Sequence, residues 1–464
     1  MGQRERSEQP GVYSDELNGE TSDTKQNRIH GLSRRTQIVA DFANGAVCCR
    51  KRVTLMRITL LILVLANVVA SAACGRTRAV AWPPTVTPLQ SPAGANSFEP
   101  QLTASDRGVI LSWIERAGKT AHLKFAERSS SGWTPATTVA SGDDWFLSYA
   151  DVPAVFRMAN GTLLATWQQL TDEFIEATNL RLTYSTDNGK TWAPSFLPHN
   201  DGTKSQHGFP TFFDMAGGGI GLVWLDGRNN EFDFDNPNKA AMNLRYGAFD
   251  ASWKQTADTL VDGRVCECCP TTAVPTSDGI LTAYRDRSEK EVRDIAVSRL
   301  QNGAWSEPVP VHADNWEIEA CPVNGPMLSA NGRDVAAAWF TAATGEGQSF
   351  AAFSTDAGRT WGAPIRLDDA ASLGRVGVTL LDDGSAIVSW VEYADRRGQF
   401  RARRVERSGA KSAPITLAGV SGSPTTGYPR IARHGDELVF AWAETTGDAS
   451  DPTFAVKTAV ASLR

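Results

Sequence analysis

The chain has 464 residues, of which 41% are hydrophobic and 21% are charged. This balance supports a packed core and excludes a chain that is disordered throughout. The formal net charge is -6, which argues against nucleic acid as the main partner, because nucleic-acid-binding proteins present a basic surface. The 40 Gly and 14 Trp residues favour a fold with many turns and a repeated structural role for Trp.

The first 73 residues differ in character from the rest of the chain. Residues 1–55 are polar and show no sustained apolar period, so we expect an unstructured leader or a start codon assigned too far upstream. Residues 56–73 contain an apolar run from Ile58 to Ala70 behind basic residues. This run is shorter than the roughly 20 residues that span a membrane, and it is typical of a signal peptide.

Small residues precede Cys74, in the order Ser71-Ala72-Ala73-Cys74. The segment resembles the lipobox of bacterial lipoproteins. The resemblance implies that Cys74 is lipidated, that residues 74–79 are an anchor linker, and that the protein is exported to the cell envelope with a membrane anchor. Ordinary cleavage is the alternative and would give a periplasmic or secreted protein.

Residues 80–464 are predicted to form one domain built from a repeat. Seven predicted second strands end in an aromatic residue, at intervals of about 51–60 residues. These residues are Trp113, Trp167, Trp224, Tyr284, Trp339, Trp390 and Trp442. Alternating apolar runs between Gly, Asn and Asp turns indicate strands throughout. The pattern predicts an all-β propeller of seven four-stranded blades, with six blades as the alternative.

The last repeat ends on its third strand, so a fourth strand is missing. The segment Trp82–Leu89 is similar to the fourth strands of other repeats. We therefore expect residues 80–90 to complete the last blade, which closes the ring and covers two sheet edges. A closed ring of this kind is expected to be a monomer.

The pattern S-x-D-x-G-x-T-W occurs at residues 185–192 and again at residues 354–361. In such a turn the Asp accepts from backbone N–H groups, the Gly supplies a positive φ, and the Trp packs against the strands. The structural residues of the two copies are Asp187, Gly189, Trp192, Asp356, Gly358 and Trp361.

These two turns resemble the Asp-box of sialidases and related BNR-repeat propellers. The segments at residues 226–228, 284–288, 292–295 and 321–326, together with the Cys-rich segment at 266–269, resemble bacterial exported sialidase-like proteins whose activity is unsettled. Sialidases bind the sugar carboxylate with three Arg, use an Asp as acid/base, and use a Tyr–Glu pair as nucleophile. The resemblance suggests Asp151 or Asp226 as acid and Tyr428 with Glu392 as the nucleophile pair. However, Glu99 stands where the first Arg of sialidases is found.

Charged and aromatic residues concentrate in the second–third loops and interblade links, which share one face of a propeller. That face is called the loop face below. The candidate ligand-binding residues on it are Arg228, Arg285, Asp286, Arg287, Arg293, Arg375, Trp145 and Trp316. They could receive an anion and stack on a sugar. The alternatives are an Arg–carboxylate network and aromatic packing.

Four Cys fall in two interblade links, at Cys266, Cys268, Cys269 and Cys321. An exported protein favours two disulfides. The compact Cys-x-Cys-Cys spacing also suits a thiolate site for copper or zinc, with His207 as a further ligand.

The sequence therefore predicts an exported propeller that binds a glycan, another anionic small ligand or a protein partner on its loop face. The first alternative is an exo-sialidase-type glycoside hydrolase. The second is a metal-binding propeller based on the Cys cluster.

Overall fold

The structure is a computed structural model that describes residues 82, 85–173, 176–229, 241–422, 427–446 and 453–463. All of these belong to one compact unit, Arg76–Arg464. The predicted leader, signal peptide and linker with Cys74 lie outside the described residues. Within the described ranges, no helix is long and apolar enough to cross a membrane.

The described strands form seven antiparallel sheets, which are the blades of a propeller. The first strand, β1, is Val86–Leu89. Blade 1 contains β2 (Ser97–Ala104), β3 (Val109–Ala117), β4 (Thr120–Ser129), β5 (Gly132–Trp133) and β6 (Thr137–Gly142). Blade 2 contains β7 (Ala154–Arg157), β8 (Leu163–Asp172) and β9 (Ala177–Ser185). Blade 3 contains β10 (His207–Asp214), β11 (Ile220–Asp226), β12 (Met242–Phe249) and β13 (Gln255–Val265).

The remaining blades follow the same order. Blade 4 contains β14 (Thr272–Thr276), β15 (Gly279–Arg285), β16 (Ile295–Gln301), β17 (Ala304–Trp305) and β18 (Val309–Pro310). Blade 5 contains β19 (Met327–Asn331), β20 (Asp334–Thr341), β21 (Gln348–Ser354) and β22 (Ile365–Arg366). Blade 6 contains β23 (Ala371–Leu380), β24 (Ala386–Ala394), β25 (Arg397–Val405) and β26 (Ile415–Val420). Blade 7 contains β27 (Arg430–His434), β28 (Glu437–Thr446) and β29 (Thr453–Ser462). The prediction of seven blades is confirmed.

The N-terminal strand closes the ring, as the truncated last repeat predicts. β1 pairs antiparallel with β29, placing Val86 opposite Ala461 and Leu89 opposite Thr458. Blade 7 therefore has four strands, and its outermost strand comes from the start of the domain. This pairing covers the edge that β29 would otherwise expose.

The core lies between neighbouring blades, because each sheet packs both of its faces. Every residue of β11 is buried, which is the burial pattern of a strand covered on both sides. Among the largest fully buried side chains are the Trp residues that end the second strands of four blades. These are Trp113, Trp224, Trp339 and Trp390.

A second set of aromatic residues joins neighbouring blades. Trp192 of blade 2 meets Phe125 of blade 1 edge to face, with centroids 6.0 Å apart. Trp253 of blade 3 stacks on Tyr184 of blade 2 at 4.1 Å. The outer turns therefore contribute to inter-blade packing, because large aromatic side chains bury much apolar area.

The two S-x-D-x-G-x-T-W turns adopt the expected geometry. The backbone N–H of Thr191 donates to Asp187 Oδ1 at 2.9 Å, and the Thr191 hydroxyl donates to Asp187 Oδ2 at 2.7 Å. Gly189 has a φ of 82°. The second copy repeats this arrangement, with Thr360 donating to Asp356.

Candidate functional site

The four predicted Cys residues lie on the loop face. Cys266, Cys268 and Cys269 occupy the link between β13 and β14, and Cys321 lies in the link between β18 and β19. Because consecutive links surround the same end of the central channel, the fold brings these two segments together. All four are free thiols in the structure.

Three of the thiols form a tight group, which we call the thiol cluster. Cys266 Sγ is 3.3 Å from Cys269 Sγ and 3.8 Å from Cys268 Sγ. Cys266 and Cys269 are buried, whereas Cys268 is partly exposed. Cys268 and the exposed Cys321 line the same pocket. The cluster therefore has a buried base and one side that opens toward solvent.

The surroundings favour one thiolate in the cluster. Hydrogen bonds from Cys268 and Cys269, together with the nearby charge of Arg285, hold the pKa of the Cys266 thiol well below its usual range. Burial raises the pKa of the Cys269 thiol. Arg293 Nη1 also donates to Cys266 Sγ at 3.4 Å. A positive charge beside a thiol favours the deprotonated form, which is the metal-binding form.

Two predicted ligand-binding Arg residues belong to a buried ion-pair network behind the cluster. Arg287 Nη2 lies 2.9 Å from Glu291 Oε1, and Arg293 Nη2 lies 2.8 Å from Glu291 Oε2. Both guanidinium groups also approach Glu267 Oε2, at 3.4 and 3.2 Å. Of the two interpretations left open by the sequence, these contacts favour the Arg–carboxylate network.

Arg285 is engaged with the backbone rather than with a carboxylate. Its guanidinium donates to three carbonyl oxygens at 2.6–3.0 Å, those of Arg293, Asn324 and Phe340. The Trp316 ring lies 4.9 Å from the Arg285 guanidinium carbon and is only 7% exposed. The other loop-face Trp, Trp145, stacks on Trp167 at 5.2 Å. These contacts favour packing over ligand stacking for both Trp residues.

Three further candidates lie at separate places on the loop face. Arg228 makes a bidentate pair with Asp226, with both donor–acceptor distances at 2.8 Å. Asp286 accepts from the Arg287 backbone N–H at 2.7 Å, and burial raises its pKa to about 6. Arg375 is buried with a φ of 54°, and its charge interacts with Tyr428.

Among the described residues, the two members of the predicted nucleophile pair have no contact partner in common. Tyr428 donates from its hydroxyl to the Val323 carbonyl. Glu392 is fully buried and accepts from Trp390 Nε1 at 2.8 Å and from Arg401. Within the described part of the chain, these contacts place the two residues in different environments.

Glu392 and Asp226 belong to a repeated structural pattern that the sequence analysis missed. The indole N–H of a second-strand Trp donates to the carboxylate two residues later in four blades. The pairs are Trp113–Glu115, Trp224–Asp226, Trp390–Glu392 and Trp442–Glu444, at 2.8–3.1 Å. A recurring W-x-D/E signal in the sequence could have identified them. Because this Trp–carboxylate bond recurs in four blades, it favours a role in packing for Asp226 and Glu392 rather than a role in catalysis.

The open side of the thiol cluster borders a pocket of about 310 Å³. Its lining includes Tyr149, Asp151, Glu267, Cys268, Cys321 and Val323. Asp151 Oδ1 accepts from Gln168 Nε2 at 2.7 Å, and burial raises the pKa of Asp151 to about 7. The pocket thus brings a carboxyl group that can hold a proton near neutral pH together with two thiols.

His207 does not join the Cys group as the sequence suggested. It lies in a separate group with His199 and Asp201. The reason is strand register, because His207 is the first residue of β10 and lies opposite Asp226 at the end of β11.

No family model matches the chain, and no curated protein matches it. Among solved structures, a Dyadobacter fermentans protein of unknown function is 15% identical, with a TM-score of 0.47, over 83% of this chain and 99% of that one. NanB sialidase from Streptococcus pneumoniae is 10% identical, with a TM-score of 0.43, over 82% and 94%. An ulvan lyase of a new polysaccharide lyase family is 11% identical, with a TM-score of 0.49, over 82% and 95%. At these identities, residue roles in those proteins do not transfer to this chain.

Proposed function

We propose that the protein is an exported propeller that binds a soft metal ion, Cu(I) or Zn²⁺, through the thiol cluster. Cys266, Cys268 and Cys269 provide the ligands, and Cys321 is available as a fourth. The pocket on the open side of the cluster is the entry route for the ion.

The spacing of the sulfur atoms is the observation that carries this proposal. With Zn–S bonds of about 2.3 Å, tetrahedral thiolate ligands lie about 3.8 Å apart. The observed separations from Cys266 Sγ are 3.8 Å to Cys268 Sγ and 3.3 Å to Cys269 Sγ. A disulfide brings two sulfur atoms to about 2.0 Å. The cluster is therefore closer to the spacing of a metal site than to that of a disulfide.

The chemistry of the cluster selects the class of ion. Thiolates prefer Cu(I) and Zn²⁺ over harder cations. Three thiolates suit Cu(I), and the addition of Cys321 gives the four sulfur ligands common in structural zinc sites. The Arg293 contact at 3.4 Å from Cys266 Sγ supplies positive charge that offsets the thiolates.

Metal analysis and thiol counting on the full chain test the proposal. We expect one equivalent of Cu(I) or Zn²⁺ bound by the thiol cluster in the wild type and loss of that equivalent in Cys266→Ser and Cys269→Ser. Cys321→Ser separates the two ions, because it should weaken Zn²⁺ binding more than Cu(I) binding. Two complete disulfides with no bound metal would refute the proposal.

A second candidate function is acid-assisted cleavage of a glycan in the same pocket. It is favoured by Asp151, whose raised pKa of about 7 keeps a proton available at neutral pH. Asp151→Asn should abolish turnover if this role is correct. Hydrolysis assays on sialosides should compare this variant with wild type, and absence of turnover by the wild type on every sialoside would reject the second candidate.

The proposal includes export to the cell envelope, with a lipid attached to Cys74 as the membrane anchor. A Cys74→Ala variant should lose membrane association while it is still exported. Unchanged membrane association in that variant would reject the lipid anchor but would leave the thiol cluster untouched.

A further inference from the structure

We infer that blade 3 holds a second metal site, for a borderline divalent cation such as Zn²⁺, formed by His199, Asp201 and His207, with Asp226 beside it. These donors are nitrogen and oxygen atoms, so the site differs in chemistry from the thiol cluster. It lies where the link before β10 meets the last residue of β11.

Strand register and loop geometry bring the four residues together. His207 pairs with Asp226 across β10 and β11. His199 and Asp201 belong to the irregular link that leads into β10, where Gly202 adopts a φ of 69°. The sequence separation between Asp201 and Asp226 conceals their proximity.

The distances between donor atoms match those of a small tetrahedral site. With bonds of 2.0–2.1 Å to nitrogen and oxygen, ligand atoms around Zn²⁺ lie about 3.3 Å apart. Asp201 Oδ1 is 3.0 Å from His199 Nδ1 and 3.3 Å from His207 Nε2. His207 Nε2 is 3.7 Å from Asp226 Oδ2.

The imidazole of His207 is held in the form that binds metal. Its Nδ1 lies 2.8 Å from the Thr178 carbonyl oxygen. A carbonyl only accepts, so Nδ1 carries a proton, and in the neutral imidazole the lone pair is on Nε2. A backbone carbonyl that fixes the tautomer in this way is a usual outer-shell partner of a metal-ligating His.

Both Nε2 atoms, of His199 and His207, are buried and have no hydrogen-bond partner among the described residues. The His207 side chain is 0% exposed and that of His199 is 3% exposed. Unpaired buried polar atoms are uncommon and call for an explanation such as an ion. A cation bound to His207 Nε2 would be the missing partner of that atom.

The charged groups around the site carry more negative than positive charge, which favours a cation. Asp201 and Asp226 provide two carboxylates, and Arg228 is paired with Asp226 through two 2.8 Å hydrogen bonds. Arg228 Nη2 is farther from Asp201, at 3.7 Å. Asp201 is therefore the carboxylate on which a metal ion would depend most, and Arg228 would orient Asp226.

The two His rings stack at a centroid distance of 3.7 Å and an angle of 3°. Two ligands on one ion need their lone pairs to converge, so the His199 ring must tilt when metal binds. His199 lies in the irregular link before β10, whereas His207 is the first residue of β10.

The experiment uses the full chain with Cys266, Cys268 and Cys269 replaced by Ser, so that the thiol cluster cannot contribute. Co²⁺ and Zn²⁺ are added as the probes. We expect one bound equivalent, Co²⁺ absorption without a sulfur charge-transfer band, and a rise in Tm on binding. His207→Ala and Asp201→Asn in this background should weaken binding by at least a hundredfold, whereas the control His312→Ala should not.

Binding of no Co²⁺ or Zn²⁺ by the protein that lacks the thiol cluster would overturn the inference, as would equal binding by His207→Ala. Circular dichroism establishes that each variant is folded, and Asp201→Asn serves as the second variant if His207→Ala does not fold. Because the thiol cluster is absent here, failure of the thiol site and failure of this site give different results.

Discussion

Arg293 connects the thiol cluster to the buried ion-pair network. Its Nη1 donates to Cys266 Sγ at 3.4 Å, and its Nη2 lies 2.8 Å from Glu291 Oε2. The side chain is only 2% exposed. One guanidinium therefore holds a thiolate on one side and a carboxylate on the other, in a place where water cannot screen either charge.

We expect Arg293→Gln to weaken metal binding at the thiol cluster by about tenfold. The substitution removes a charge-assisted hydrogen bond to Cys266, and such bonds are worth about 1.5–3 kcal/mol. Competition titration with a Cu(I) chelator measures the change. Arg299→Gln is the matched control, because Arg299 donates to the Gly358 carbonyl in an outer turn. Equal affinity in Arg293→Gln and wild type would contradict this role.

Arg285→Met should lower the free energy of unfolding by about 3 kcal/mol or more. The substitution leaves buried carbonyl groups without donors, and each such group costs about 1–3 kcal/mol. Urea unfolding measures the effect, with exposed Arg397→Met as the control that should change stability by less than about 0.5 kcal/mol. If Arg285→Met is as stable as the control, Arg285 is free for a ligand after all.

Removal of residues 82–90 should open the ring. Without β1, the edge of β29 loses its partner along Thr458–Ala461, and exposed edges promote association between chains. We expect a lower Tm and oligomers in size-exclusion chromatography. A chain that begins at residue 80 is the control, and a monomeric, equally stable truncation would disagree with the closure.

Asp151→Asn should change how stability depends on pH. Burial raises the pKa of Asp151 to about 7, so the folded state binds more protons than the unfolded state between about pH 4 and pH 7. This contribution is complete below pH 4 and is lost as the pH rises toward 7. The isosteric Asn variant should lack this loss.

Thermal unfolding across pH 4–8 measures the difference between the two proteins. We expect the Tm of Asp151→Asn relative to wild type to rise over this range. Asp286→Asn provides a comparison, since Asp286 has a smaller upward shift, to about 6. Parallel Tm curves for Asp151→Asn and wild type would rule out the raised pKa.

The ring architecture was predictable because it depends on local repetition. Blade number followed from the aromatic endings such as Trp113 and Trp390, and each of these packs between neighbouring sheets. The closure by β1 followed from a missing strand and a similar segment at the other end of the domain. Turn geometry around Asp187 followed from the preferences of four or five consecutive residues.

The site was less predictable, because it depends on contacts between links that are distant in sequence. The sequence grouped His207 with the cysteines, but register with Asp226 directs it into another cluster. It also left Trp316 equally suited to packing and to stacking on a sugar. The burial of the Trp316 ring and the position of Arg285, 4.9 Å from the ring, favour packing.

The pairing of β1 with β29 also fixes where the folded chain begins and ends. Val86 and Ala461 lie side by side, at the face with the S-x-D-x-G-x-T-W turns, because third strands run from the loop face to that face. A tether or fusion attached ahead of Val86 or after Ser462 therefore leaves from the side opposite the thiols. The domain can be held by either terminus, or by both, with its loop face directed away from the attachment.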